Sequence, residues 1–279
     1  MTGTRGHRHG PVPRAALAAI ASVTVGLAGC TSGGSGGHTT PASSPAPTSR
    51  PLSTAIAPLP GTPPSSPAGL AAFLKQGFAR LGSARVSFST ALSGNQLSGS
   101  GPVQIADGQV SALDVHATVS GIGAVHYVLA GGKPYAALPT PAAAGKPSVV
   151  LGSGSGDQLD RAAIGLQATK LLTSPATYRT LLAAADRLTL VGRTTVGAAP
   201  ALHYRAPVRV DAVSSSDPVR FALAALDVSS LTVDLWVDGA GRPLRASAPA
   251  PDGRPSNVTF TDLNQPVSIA APAADQVAK

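Results

Sequence analysis

The sequence predicts an α+β domain built on a large antiparallel β-sheet, and three observations predict it. Three stretches open with a capping residue followed by proline, the start signal of a helix: Ser66-Pro67, Ser174-Pro175 and Asp217-Pro218. Between them apolar residues recur at every second position, the period of a strand with one dry and one wet face. Turn residues such as Ala106-Asp107-Gly108, Gly131-Gly132-Lys133-Pro134 and Asp238-Gly239-Ala240-Gly241 separate those runs. One dry face per strand favours antiparallel pairing over a doubly wound parallel sheet, with helices covering that face.

In chain order, the first helix carries Leu70, Phe73, Leu74, Phe78 and Leu81 on one side, with Gly82 as its C-cap. Strands follow, in which Val86, Phe88, Thr90 and Leu92, then Leu113, Val115, Ala117 and Val119, then Val125, Tyr127 and Leu129 alternate with polar or small residues. A weaker helical stretch covers 160–172. The Ser174-Pro175 helix aligns Tyr178, Leu181, Leu182 and Ala185. Leu202, Tyr204, Ala206 and Val208 form the next strand, and Phe221, Leu223, Ala224 and Leu226 belong to the Asp217-Pro218 helix. Leu231, Val233, Leu235 and Val237, then Val258 and Phe260, complete the sheet. The expected order is helix, five strands, two helices, two strands, helix, three strands.

Ahead of this body lies an address. Arg5, Arg8 and Arg14 precede the short apolar run 15–26, and Leu27-Ala28-Gly29-Cys30 closes it. The run is shorter than the ~20 residues a spanning helix needs, so residues 1–29 read as a cleaved signal peptide. Cys30 is the single cysteine, and Leu-Ala-Gly-Cys resembles the lipobox of bacterial lipoprotein signal peptides. The mature chain is expected to start at Cys30, diacylated through its thiol and anchored at the extracytoplasmic face of a membrane. Residues 30–66, rich in Gly, Ser, Thr and Pro, read as the acylated N-terminus and a disordered tether. Residues 67–275 are expected to form one domain, with 276–279 as a tail.

Composition then removes function classes. The net charge of +8 falls to +5 once the three leader arginines are gone. The remaining basic residues are scattered rather than ranged in a stripe with aromatics, so nucleic acid is not an expected partner. All thirteen acids are aspartate, which excludes glutamate acid–base chemistry. Gly152-Ser-Gly-Ser-Gly156 puts glycine where a nucleophile elbow needs serine, and Asp157 breaks a Gly-x-Gly-x-x-Gly loop. His116, His126 and His203 fall singly on polar strand faces and read as solvated. No sequence spacing suggests a metal ligand set, so no catalytic residue, metal or cofactor is expected. Asp234 and Asp238 flank Trp236 on one face, at least ~13 Å apart, too far for a carboxylate pair, and read as surface charges. Asn257-Val-Thr matches a glycosylation sequon, to which a bacterial lipoprotein gives no weight.

Several segments resemble the LppX/LprG (LppX_LprAFG) lipoproteins of the mycobacterial-type cell envelope. Ala84-Arg-Val-Ser-Phe-Ser-Thr90 is similar to the family's opening strand, and Gly132-Lys-Pro-Tyr-Ala-Ala-Leu138 to its G-x-x-Y strand. Leu181-Leu-Ala-Ala-Ala-Asp186, Val191-Gly-Arg-Thr-Thr-Val-Gly197 and Leu202-His-Tyr204 resemble its helix and following hairpin. Leu235-Trp-Val-Asp-Gly-Ala-Gly-Arg-Pro-Leu-Arg245 resembles its late W-V-D-x-x-G-R-P hairpin. Residues 139–160 depart from the pattern, being Pro/Gly/Ser-rich where the family has a longer helical region.

The resemblance implies a large curved antiparallel sheet with helices packed across its concave face and an apolar cavity between them. It implies binding of acylated lipids or glycolipids and their transport across the periplasm-like space to the outer envelope, with a membrane transporter among the partners to expect. The side chains then expected at the lipid are Val86, Phe88, Leu113, Val115, Tyr127, Leu129, Leu181, Leu182, Leu202, Tyr204, Phe221, Val233, Leu235 and Phe260. The residues alone also allow a different class, a non-catalytic scaffold with a solid core that docks an envelope protein.

Overall fold

A computed structural model describes residues 52–92, 95–141, 143, 145–154, 156–225, 228–249 and 255–278. The leader, Cys30 and the tether up to residue 51 lie outside the described residues. The expected order of elements is found with two short strands added, Ser148–Val150 before the two central helices and Val277–Ala278 at the end. Helix α1 (Pro67–Phe78) leads to β1 (Ser83–Leu92), β2 (Asn95–Ala106), β3 (Gln109–Val119), β4 (Gly123–Ala130) and β5 (Lys133–Ala137). A short β6 (Ser148–Val150) precedes α2 (Asp157–Thr173) and α3 (Pro175–Ala183). Then come β7 (Thr189–Val196), β8 (Ala199–Arg209), α4 (Pro218–Ala225), β9 (Ser230–Val237), β10 (Pro243–Pro249), β11 (Pro255–Thr261) and β12 (Val277–Ala278). Among the described residues no helix is long and apolar enough to cross a membrane.

The strands form one open twelve-stranded sheet in the order β12-β6-β5-β4-β3-β2-β1-β11-β10-β9-β8-β7. All described neighbours pair antiparallel except β12 with β6. The β1–β11 pairing, with Val86 opposite Phe260 and Phe88 opposite Val258, joins the N-terminal strands to the C-terminal ones. Because strand side chains alternate, this register places the alternating apolar residues of β1, β3, β4, β8, β9 and β11 on one inner face, whereas Leu190 and Val191 of β7 stay exposed. Helix α2 lies against β1 and β3, α3 lies against β8 and β9, and α1 packs on α3. The helix starts follow their caps: the Ser66 hydroxyl accepts from Gly69 N–H at 3.1 Å, and the Asp217 carboxylate from Val219 N–H at 2.8 Å. Ser174 is used differently, its hydroxyl accepting the Val110 amide at 3.3 Å and so pinning the α2–α3 corner to the β2–β3 turn. Ala176 N–H adds a bond to the Gly108 carbonyl at 2.8 Å.

Four expectations are corrected. Gly82 is not the C-cap of α1; Ala79 is, and the Gly82 amide instead donates to Asn264 Oδ1 at 2.8 Å. Residues 277–278 are not a free tail, since they add a parallel strand beside β6.

The other two corrections concern one structure. Residues 52–66, read as part of the disordered tether, lie as a strap on the folded body, with Ile56 and Leu59 against its core. Asp238, read as a surface charge, is 0% exposed and paired with Arg242, itself 2% exposed, through Nη2 at 2.7 Å and Nε at 2.8 Å. The other carboxylate oxygen of Asp238 accepts the amides of Ala240 and Arg242 at 2.9 Å. Arg242 then reaches across to the carbonyls of Ser53, at 2.8 Å, and Ala55. A planar guanidinium with five donors suits this bridging, because it satisfies a carboxylate and two carbonyls at once. Gly241 has φ +80°, and a Cβ there would meet the Phe73 carbonyl oxygen of α1, so only glycine lets this loop close on the helix.

Candidate functional site

The inner face of the sheet assembles nearly all of the side chains expected at a lipid. Leu113 stands opposite Leu129 and Val115 opposite Tyr127 across β3–β4. Tyr204 stands opposite Leu235, and Ala206 opposite Val233, across β8–β9. Leu181 and Leu182 reach the same cluster from α3. Thirteen of the fourteen residues are no more than 6% exposed, and they pack against one another and the helices. The interior is therefore filled in this structure. Two surface depressions, of about 390 and 340 Å³, are lined by none of the fourteen.

Phe221 is the exception, at 62% exposed. Helix α4 turns Val219 inward, with Leu223 one turn further on. Phe221, two residues from Val219, is ~200° around the helix from it and faces out. Sequence reading grouped Phe221, Leu223 and Ala224 by composition and so chose the wrong phase.

Two polar atoms inside this face have no partner. The hydroxyls of Tyr127 and Tyr204 are buried without a hydrogen bond. Burial pushes both phenols upward from their ordinary range; Tyr204 is pushed up to about 12, the nearby Arg193 guanidinium drawing it part of the way back. Tyr178, raised further still by burial, differs in that its hydroxyl donates to the Leu172 carbonyl at 2.6 Å. Leaving a buried hydroxyl unpaired costs about 1–3 kcal/mol, so two of them in one apolar interior call for a reason.

The two helices over this face differ in grip. Helix α3 buries Ala176, Tyr178, Leu181 and Leu182. Helix α2 fully buries Ala162, Gly165, Leu166, Thr169 and Thr173, a stripe with a single large residue, and sets Leu159, Leu171 and Leu172 half-buried against the core beside it. The Tyr127 hydroxyl points at that stripe: a Cβ on Gly165 would come within 2.4 Å of it. Helical spacing did reveal α2 in the sequence, but neither the small-residue stripe nor the unpaired hydroxyls carry a linear signal.

The outer face holds the three histidines, and they are not singly solvated. His126 Nε2 lies 2.6 Å from Asp114 Oδ1, and its ring stacks on His116 with centroids 4.1 Å apart. His203 Nε2 lies 2.6 Å from Asp234 Oδ1, and its ring stacks on Trp236 at 4.2 Å. Arg205 Nε also donates to Asp234 Oδ1 at 2.9 Å, and Arg245 lies over the Trp236 ring. Cross-strand register makes these groups, and single-strand patterning does not reach across strands.

Solved structures similar to this architecture include two mycobacterial proteins. LppX of Mycobacterium tuberculosis is similar at a TM-score of 0.47 and 16% identity, over 73% of this chain and 99% of that one. LprF of Mycobacterium bovis is similar at a TM-score of 0.47 and 14% identity, over 76% of this chain and 100% of that one. Both belong to the group of lipoproteins that the sequence resembles. No family model matches the chain, and no curated protein matches it in sequence.

Proposed function

We propose that the chain is a membrane-anchored lipoprotein, acylated at Cys30, that takes the acyl chains of a lipid or glycolipid between α2 and the β1–β4 part of the inner face and assists transport of that lipid to the outer envelope. The observation that carries this reading is the Tyr127 hydroxyl, buried without a partner under a helix whose fully buried positions are small except for Leu166. A lipid supplies what that place lacks. Its acyl chains match the aliphatic face, and an ester or amide carbonyl at their head offers an acceptor for the phenol. Each Å² of apolar surface removed from water contributes about 25 cal/mol, less the ordering of the chains and the displacement of α2. The filled interior is then the unloaded state, with α2 lifting about the corner that Ser174 pins.

A second reading is favoured by that same filling: a dry-cored scaffold whose outer surface docks a partner. Mass spectrometry of lipid extracted from the full-length protein, purified from the envelope of a mycolate-bearing host, separates the two. Lipid binding predicts an acylated species in near-stoichiometric amount, reduced when the larger side chain of Leu166→Trp takes up the room that α2 would open for the acyl chains. A chain that retains no lipid fits the scaffold and ends the transport reading. Equal partitioning of wild type and Cys30→Ala into a detergent phase contradicts the anchor.

A further inference from the structure

We propose that Asp114, His116 and His126 form a binding site for a divalent transition-metal ion, zinc being the ion to test, on the outer face of the β3–β4 pair. His116 and His126 are direct cross-strand partners, and Asp114, two residues before His116, shares their face. The two imidazoles stack with their planes 11° apart. One ligand atom from each of the three residues lies within 4.8 Å of the other two. Zinc holds nitrogen and oxygen ligands at about 2.0–2.2 Å, which separates neighbouring ligands by about 3.3 Å in a tetrahedral site. His126 Nε2 and Asp114 Oδ1 are already closer than that, at 2.6 Å. Coordination needs that pair to part by about 0.7 Å and the imidazole stack to open as His116, the exposed member of the three, turns inward.

The surroundings suit an ion. A depression of about 340 Å³ opens over both imidazoles, with Ser98, Ser100 and Thr118 at its walls. It leaves room for water or an oxygen ligand on the rest of the coordination sphere. Two imidazoles and a carboxylate without thiolate form a donor set typical of zinc and the neighbouring divalent ions. The ion takes the Nε2 lone pair of His126, so the proton shared there with Asp114 is released to solvent. The second His–Asp pair shows what such a pair looks like when built for structure alone. His203 and Asp234 keep the same 2.6 Å contact, but Trp236 stands where a second imidazole would be needed and Arg205 brings a cation onto the carboxylate.

The test is the melting temperature of the full-length protein with and without Zn²⁺, for wild type, His116→Ala, His126→Ala and His203→Ala. An ion that binds only the folded state raises the midpoint with concentration. Any ligand contributed by residues before 52 is common to all four proteins and cancels. Wild type and His203→Ala are expected to show the same Zn²⁺-dependent rise, reversed by chelator. His116→Ala is expected to need at least about tenfold more Zn²⁺ for that rise, with its ion-free melting temperature unchanged. His126→Ala, which also loses the Asp114 contact, is expected to show no rise. A rise of equal size in wild type and His116→Ala, or none in wild type, overturns the site.

Discussion

The two halves of the sheet are built from the same parts and closed to different degrees. Each has a tyrosine on the inner face with an unpaired hydroxyl, Tyr127 on β4 and Tyr204 on β8. Each has a His–Asp pair on the outer face at 2.6 Å. In the β8–β11 half the remaining positions are filled: α3 presses Leu181 and Leu182 onto the sheet, Trp236 and Arg205 complete the outer cluster, and the Asp238–Arg242 pair clasps the strap. In the β1–β4 half the fully buried positions of α2 are small except for Leu166, and His116 and His126 leave a depression open above them. The α3 half is the more completely packed of the two, and the α2 half keeps a depression on its outer face. The difference teaches that burial alone does not locate a site. Both halves are equally dry inside and each holds an unpaired phenol; the covering helix and the completeness of the outer cluster tell them apart.

The comparison breaks first where the closed half is cut. Asp238→Ala leaves the Arg242 guanidinium buried and half unpaired and is expected to cost about 3–5 kcal/mol in denaturant unfolding, while leaving bound lipid per folded chain unchanged. Leu182→Ala should cost about 2–5 kcal/mol by cavity formation, again without touching lipid content. Loss of lipid in either variant at constant folded fraction would erase the division between halves.

A smaller effect tests the open half. Gly165→Ala drives a methyl group onto the Tyr127 hydroxyl and is expected to cost about 1–3 kcal/mol, most of which Tyr127→Phe in the same chain recovers. Tyr127→Phe alone should be neutral or stabilising, since it removes an unpaired buried hydroxyl. A marked loss of stability in Tyr127→Phe would mean that the phenol has a partner.

The smallest effect is alkaline. The folded protein holds the protons of Tyr127, Tyr178 and Tyr204 above the ordinary phenol value of about 10. The stability this brings is whole below that pH and is lost as pH rises toward the folded value of about 12 for Tyr204. Denaturant midpoints should therefore fall between those two values, and the phenolate absorbance of these three residues should rise together with unfolding.

Much of the fold was legible because its signals are local. The three cap–proline pairs mark real helix starts, and period-two runs such as Leu231, Val233, Leu235 and Val237 mark a real strand with the correct face inward. What escaped depends on contacts distant in sequence. Asp238 is buried because Arg242 can reach carbonyls at Ser53 and Ala55, nearly two hundred residues earlier, which no window of sequence displays. His116 and His126 meet because β3 and β4 pair in that register; a shift of one residue would part them. The inner-face residues were readable, but whether they enclose space or fill it depends on how closely α2 and α3 sit.

The central claim is that the α2 half opens to take an acyl lipid while the α3 half stays shut. Hydrogen exchange of the full-length protein, followed by mass spectrometry with and without the lipid extracted from its own envelope, tests this most directly. The account predicts that without lipid the Asp157–Thr173 amides exchange faster than those of Pro175–Ala183, and that lipid alters protection in α2, β3 and β4 while leaving α3, β8 and β9 unchanged. Equal protection of the two helices, with no lipid-dependent change in α2, would contradict it.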